Sequence, residues 1–265
     1  ELRLVGSEMC IRDRSGAVRT FINRYGVVPG NRCVVFTNND DGYRTALSLQ
    51  QGGAEAVIVD LRHEVRSALI KMAKEAGIRI MTGHAVTIAS GTQRIARVEI
   101  SPVNEDATRV LDDPVHMDCD LLAMSGGLSP AVHLHSQARG KLAWDEELLC
   151  FKPKSVHEAC FNAGACNGVF GLAKAMVDGL KAGAAAVRAC GLDAGDHLPP
   201  VVTAPPQNWR PMPAWKIPNG QPEGEGPKAF VDFQNDVTAS DVKLAVREGY
   251  QSVEHVKRYT TLGMA

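Results

Sequence analysis

The sequence predicts an α/β chain built on a parallel sheet, and three observations carry that prediction. Two short apolar runs, Cys33 to Phe36 and Ala56 to Val59, are rich in β-branched residues and too brief for helices, so they read as buried parallel strands. A helix-length segment ending at Gly52 and Gly53 lies between them. A third apolar run, within Asp118 to Pro130 (DCDLLAMSGGLSP), ends in the glycine pair Gly126 and Gly127, where the backbone can approach a ligand closely or simply turn.

Arg32 to Arg62 is therefore a βαβ unit of dinucleotide-binding type, with Asp60 closing its second strand. A G-x-G-x-x-G fingerprint would follow the first strand, but the chain has Thr37-Asn38-Asn39-Asp40-Asp41-Gly42, which keeps only the third glycine. Asn tolerates positive φ, so Asn38 and Asn39 can still form the turn. Asp60 stands where a ribose hydroxyl would be bound, and Arg62 leaves room for a 2′-phosphate. Asp40 and Asp41, however, place two carboxylates where a helix N-terminus otherwise favours anions. Two readings follow: a nucleotide site over Thr37, Asn38, Asn39, Gly42 and Asp60, or a Rossmann shape with weak or no nucleotide binding.

Composition narrows the function classes. A chain of 265 residues makes one large or two smaller domains, and 45% hydrophobic residues supply a sizeable core. A formal net charge of -1 gives no basic footprint for nucleic acid and no polybasic signal for a membrane surface. The longest apolar runs are far shorter than a membrane span, so neither partner is expected. Seven cysteines without a C-x-x-C pair fit reduced thiols and a cytoplasmic setting.

Taken in chain order, residues 1–14 carry no clear period and are expected to be a non-native or unstructured start, a cloning or sequencing scar. Ala17 to Tyr25 has helical spacing at Val18, Phe21, Ile22 and Tyr25. His63 to Ala76 places Val65, Ala68, Leu69, Met72 and Ala76 on one helical face, with Gly77 as the stop. Ile78 to Met81 is the next strand, and Arg94 to Ile100 alternates as one arm of a hairpin with Gly91 near its turn. Gly164-Ala165-Cys166-Asn167-Gly168 opens a long apolar helix through Val169, Leu172, Ala173, Met176, Leu180 and Ala184, with Asn167 as its N-cap. Residues 198–228 hold nine prolines from Pro199 to Pro227 and read as an extended linker or arm, which Trp209 and Trp215 would dock.

Smaller constellations are weaker. His133 and His135, two apart, would share one face of a strand, but no third ligand is near and no metal site is assigned. Cys160 and Cys166 read as thiols rather than a redox motif, and His255, Lys257 and Arg258 as a solvated helix face or a basic patch for an FMN phosphate or an acidic partner. No Ser-His-Asp order or carboxylate pair indicates hydrolysis.

Taken together, these pieces resemble the two-dinucleotide-binding-domain plan of the pyridine nucleotide-disulfide oxidoreductases. In that plan a NAD-type unit, here about 31–105, is inserted into an FAD-type unit, to which the chain returns over about 106–190, within a region spanning 15–197. Asp120 to Gly127 matches the D-x-x-x-x-x-x-G return stretch, and G-A-C-N-G matches a late G-D-x-x-G whose aspartate binds the flavin ribitol; Ala165 departs from it. The outer unit's first fingerprint has no counterpart, so the chain is expected to be a fragment.

The tail is the strongest family signal. Phe230-Val231-Asp232-Phe233-Gln234-Asn235-Asp236-Val237-Thr238, Ala245 to Tyr250 and Glu254 to Thr261 resemble the α-subunit family of heterotetrameric sarcosine oxidase, as do Asn39, Tyr43 to Ala46 and Ser125 to Gly127. Residues 229–265 also resemble a truncated helical domain of bacterioferritin-associated ferredoxin type. Asp232 and Gln234 replace its two cysteines, so no iron-sulfur cluster is expected there. Thr238 or Ser240 can cap the following helix, whose apolar side is Val242, Ala245 and Val246.

The fold thus implied is a Rossmann-like FAD/NAD(P)-binding region with a parallel sheet, followed by the start of a small helical domain. The resemblance implies an oxidoreductase subunit in a complex that oxidatively demethylates sarcosine to glycine, with H2O2 and 5,10-methylenetetrahydrofolate as products. It implies β, γ and δ partner subunits, NAD on this subunit, FMN at the β interface, FAD on β, and amine-oxidising residues elsewhere; the catalytic residues here are unassigned. Cofactor-binding candidates are Thr37, Asn38, Asn39, Gly42 and Asp60 in one unit, and Gly126, Gly127, Gly164 and Ala165 in the other. The alternatives are a noncatalytic scaffold with empty Rossmann units and a subunit of a related dye-linked amino-acid dehydrogenase.

Overall fold

The computed structural model describes residues 12–92, 94–111, 113–156, 159–195, 209–218, 229–232 and 235–263. The chain opens with β1 (Arg12–Arg14) and α1 (Ser15–Tyr25), then runs β2 (Arg32–Thr37), α2 (Asp41–Gln51), β3 (Glu55–Asp60), α3 (Ala68–Glu75) and β4 (Arg79–Thr82). An antiparallel excursion, β5 (His84–Gly91), β6 (Ile95–Pro102) and β7 (Val115–Asp118), precedes β8 (Leu121–Ser125). The main sheet has the order β1-β8-β2-β3-β4 and is parallel throughout.

Parallel strands are covered on both faces, and in β2 and β3 every residue after the first is buried. Alternation sorts them into two cores. Val34, Phe36, Val57, Val59 and Leu122 meet Val98 and Ile100 of the antiparallel sheet. Val35, Ile58, Leu121 and Ala123 meet Val18, Tyr43 and Leu49 of the helices.

Asp120 fixes the register of β8 on β2, because its carboxylate accepts the amides of Asn31 at 2.9 Å and Arg32 at 2.8 Å. Gly30 permits that approach; a Cβ there would lie 2.7 Å from Leu121 Cβ. The strand β8, beyond residue 105, lies inside the same sheet as β2 and β3.

Two expectations about elements change. The unstructured start does not extend to residue 14, since Arg12–Arg14 pairs with Leu122–Met124. The helix expected from His63 begins only at Ala68, which turns its buried face to Leu69, Ile70 and Ala73 and leaves Met72 46% exposed. Gly77, at φ 76, still ends it.

Beyond β8 come α4 (His133–Gln137), the hairpin β9 (Lys141–Asp145) and β10 (Cys150–Ser155), a 3-10 turn at Gly164–Asn167, and α5 (Leu172–Ala189). Asn167 does not cap α5, because the chain passes through left-handed Gly168 and Gly171 before the helix starts. The tail forms β11 (Phe230–Asp232), β12 (Val237–Thr238), α6 (Ala239–Arg247) and α7 (Val253–Thr260). Within α6 Ala245 is buried, whereas Val246 points outward at 55% exposure.

Thr238 caps α6 in a reciprocal box with Asp241, and Ser252 caps α7. Thr238→Ala is expected to cost about 1 kcal/mol, read as a lower thermal midpoint. Asp232 accepts from Asn235 and from the Gly263 amide at 2.8 Å, joining the tail's two ends, while Gln234 lies outside the described residues.

Burial and the nearby Asp120 charge push the Cys33 thiol up to about 12, and burial first, then Asp120, brings Cys119 to about 11. The folded chain thus holds protons that an unfolded thiol releases near 9.0, so stability falls as pH rises through that value. Urea midpoints on either side of it are expected to drop, and Cys33→Ala to flatten the drop.

Candidate functional site

The carboxyl ends of β2, β3 and β8 meet where an open α/β sheet usually binds ligands. Thr37, Asn38, Asn39, Gly42 and Asp60 all assemble there, beside Ser125 and Gly126 of the return strand. Their hydrogen bonds close on one another. The Asn39 amide side chain donates to Ser125 O at 2.9 Å, and its Oδ1 accepts Ser125 Oγ-H at 3.1 Å and the Asp41 N-H at 2.9 Å. Asn38 N-H goes to Ser125 O at 3.3 Å and Asn39 N-H to Thr37 Oγ1 at 3.2 Å.

The charges are likewise satisfied internally. Asp40, Asp41 and Asp60 are 2%, 6% and 0% exposed. Arg62 grips both oxygens of Asp60, at 3.0 Å from Nε and 2.8 Å from Nη2, and reaches Asp40 at 2.9 Å with Nη1. Tyr43 donates to Asp60 Oδ2 at 2.8 Å, and the Arg62 amide to Oδ1 at 3.0 Å. Arg19 holds Asp41 at 2.8 Å.

Desolvation works to lower the Arg62 pKa, but the hydrogen bonds and charges of Asp60 and Asp40 outweigh it and raise it. Burial, then the Asp60 charge, raises Tyr43. Arg62, read from sequence as room for a 2′-phosphate, is the counter-ion of the two carboxylates.

The proline-rich arm meets this turn. Met212 N-H donates to Asn38 O at 2.9 Å, and Asn38 Nδ2 returns a bond to Met212 O at 2.7 Å. Pro211 lies 3.6 Å from the position a Cβ would take on Gly127. Trp209 meets Phe170 in a tilted ring contact at 5.9 Å and Trp215 meets Trp144 at 5.8 Å, Trp215 remaining 74% exposed. Residues 198–208 and 219–228 lie outside the described residues.

Gly164 and Ala165 form a second locus, and no hydrogen bond among the described residues joins them to the first. Gly164 has φ 64, and its N-H donates to Asp178 Oδ2 at 2.8 Å. The turn borders a cavity of about 330 Å³ lined by His135, Asn162, Asn167, Asp178, Lys154 and Lys181, among others. His135 is buried, with Nε2 3.1 Å from Lys141 O and Nδ1 2.9 Å from Asn162 Nδ2. His133 and His135 stand on a short helix, one exposed and one buried, rather than on one face of a strand.

A dinucleotide fits the two loci differently. At the first, a pyrophosphate would face two buried carboxylates, and Asp60 has no idle oxygen for a ribose hydroxyl. At the second, amide side chains, a carboxylate and lysines line open volume beside a left-handed glycine. Gly126, with nothing within 4 Å of a Cβ position, is also open. Sequence reasoning missed Tyr43, Met212 and Asp178. Three carboxylates near one turn were the available signal that arginines must lie close by.

Residues 226–265 match the sarcosine oxidase A3 domain family. The chain is 38% identical, over 95% of its length, to sarcosine oxidase subunit alpha of Corynebacterium sp. strain P-1, covering 26% of that protein. It is 37% identical over 95% of its length to sarcosine oxidase subunit alpha of Rhizobium meliloti strain 1021, covering 24% of it. The chain thus spans about a quarter of the length of these curated relatives. Among solved structures, T. acidophilum thioredoxin reductase aligns with a TM-score of 0.46 at 14% identity, covering 71% of this chain and 60% of that one. The covalent putidaredoxin reductase-putidaredoxin complex aligns at 0.39 and 18%, covering 63% and 42%.

Proposed function

We propose that this chain, homologous along 95% of its length to sarcosine oxidase α subunits, is the dinucleotide-binding part of such a subunit, with NAD held by the outer glycine turns. The observation that supports this placement is the contrast between the two loci. The turn after β2 spends its amides and carboxylates on its own side chains, while Asn167 of the Gly164 turn lines open volume.

In this reading Gly164 and Ala165 let the backbone approach the nucleotide, and the sheet of β2 to β4 is scaffold. The 31–105 unit is inserted, 198–228 links, and the helical domain begins at 229. Bound NAD supplies a nicotinamide able to carry a hydride. The whole complex demethylates sarcosine to glycine, yielding H2O2 and 5,10-methylenetetrahydrofolate, with FAD and the amine-oxidising residues on the β subunit, FMN at its interface with this chain, and γ and δ subunits completing the assembly.

The test is acid release of nucleotide from the purified full-length complex, identified by mass. Intact NAD is expected at one per complex. Lys181→Glu, in the wall of the cavity beside the Gly164 turn, is expected to lower that content, and Asn38→Ala to leave it unchanged. The reverse pattern would move the nucleotide to the turn after β2. A second reading, a ligand-free scaffold, is favoured by Asp40, Asp41 and Ala165, and release of no nucleotide would establish it.

A further inference from the structure

We infer that Asp178 supplies the sugar-binding carboxylate that the Gly164-Ala165-Cys166-Asn167-Gly168 turn lacks at its second position, an inference resting on the placement of the dinucleotide at this turn. Ala165 carries no acceptor side chain. Fourteen residues after Gly164, α5 brings a carboxylate back: Asp178 Oδ2 accepts the Gly164 N-H at 2.8 Å and the Asn167 Nδ2-H at 3.3 Å. Both bonds use one oxygen, and Oδ1 takes none among the described residues.

Asp178 also lines the cavity of about 330 Å³ with Asn162, Asn167, Lys154 and Lys181. A carboxylate oriented by a backbone amide, with its second oxygen unengaged, is an acceptor for hydroxyl donors, and charge-assisted bonds of this kind are the strong ones. A vicinal diol presents two such donors, and the lysines suit the phosphates attached to it. The ligand class is a polyhydroxyl chain carrying phosphate, as in the ribose of a nicotinamide dinucleotide or the ribitol of a flavin dinucleotide.

The experiment uses the full-length complex stripped of nucleotide and titrated calorimetrically with NAD and, separately, with FAD. The tighter of the two identifies the source of the diol. Asp178→Asn keeps an acceptor for Gly164 but loses the charge, so it is expected to weaken binding about tenfold to hundredfold without moving the unliganded thermal midpoint. Asp178→Glu is expected to recover part of that loss. Wild-type affinity in Asp178→Asn overturns the inference while leaving the placement standing, whereas a wild-type complex that binds neither nucleotide overturns the placement itself. If both variants lose binding and the fold together, Asp178 is only a brace for the turn and the inference fails.

Discussion

Arg62→Leu is expected to lower stability by about 3–5 kcal/mol, the cost of leaving buried charge without its partner. Asp60 and Asp40 have side chains 0% and 3% exposed, and Arg62 is the cation shared between them. Removing it leaves the fully buried Asp60 carboxylate in the sheet's end with Tyr43 as its remaining side-chain donor, and takes a cation from Asp40. Urea unfolding would show the loss as a shifted midpoint at unchanged slope. Arg62→Lys is expected to fall between, because a lysine restores charge but cannot grip both Asp60 oxygens and Asp40 together. A variant as stable as wild type would mean that water reaches these carboxylates. The same reasoning applies to Asp60→Ala, whose effect on nucleotide content has to be separated from its effect on the fold.

Gly42→Ala is expected to cost about 1–3 kcal/mol by overpacking. A Cβ at residue 42 would sit 2.5 Å from Thr37 Cβ and 2.6 Å from Thr37 Oγ1, whose hydrogen bond to Asn39 O at 2.8 Å shapes the turn. Neither neighbour is the loose end of a flexible side chain, so α2 has to move off β2. This explains why the third fingerprint glycine persists where the first two are gone. The first two serve a pyrophosphate; the third serves contact between helix and strand, which the fold needs with or without a ligand. A thermal midpoint unchanged by Gly42→Ala would refute the steric account.

Much of this architecture could be read from local pattern. Cys33 to Phe36 and Ala56 to Val59 announced buried parallel strands because both their faces are apolar, and Gly91 and the alternation of Arg94 to Ile100 announced a hairpin. Asp60 was placed correctly at a strand end, but its chemistry depended on Tyr43 and Arg62, whose side chains converge only once α2 and the β3 loop are in place. Asp178 was hidden for a related reason: the turn it serves is fourteen residues earlier, and nothing local to Ala165 points to a substitute. The α3 face was misjudged because a regular period was extended through His63 to Ser67, where the chain is irregular. Long α5 reads as strongly apolar, yet none of its residues is buried, since periodicity reports which face is greasy and not what covers it.

The paired bonds between Asn38 and Met212 have a consequence for how this chain responds to its surroundings. Linkage stabilises a fold in proportion to ligand concentration only where ligand is taken up. If, as proposed, the turn after β2 takes up no nucleotide, the rigidity of the β2 to β4 region would not vary with nucleotide supply. Any sensing of nucleotide levels would then fall to the Gly164 turn, which lies outside that region.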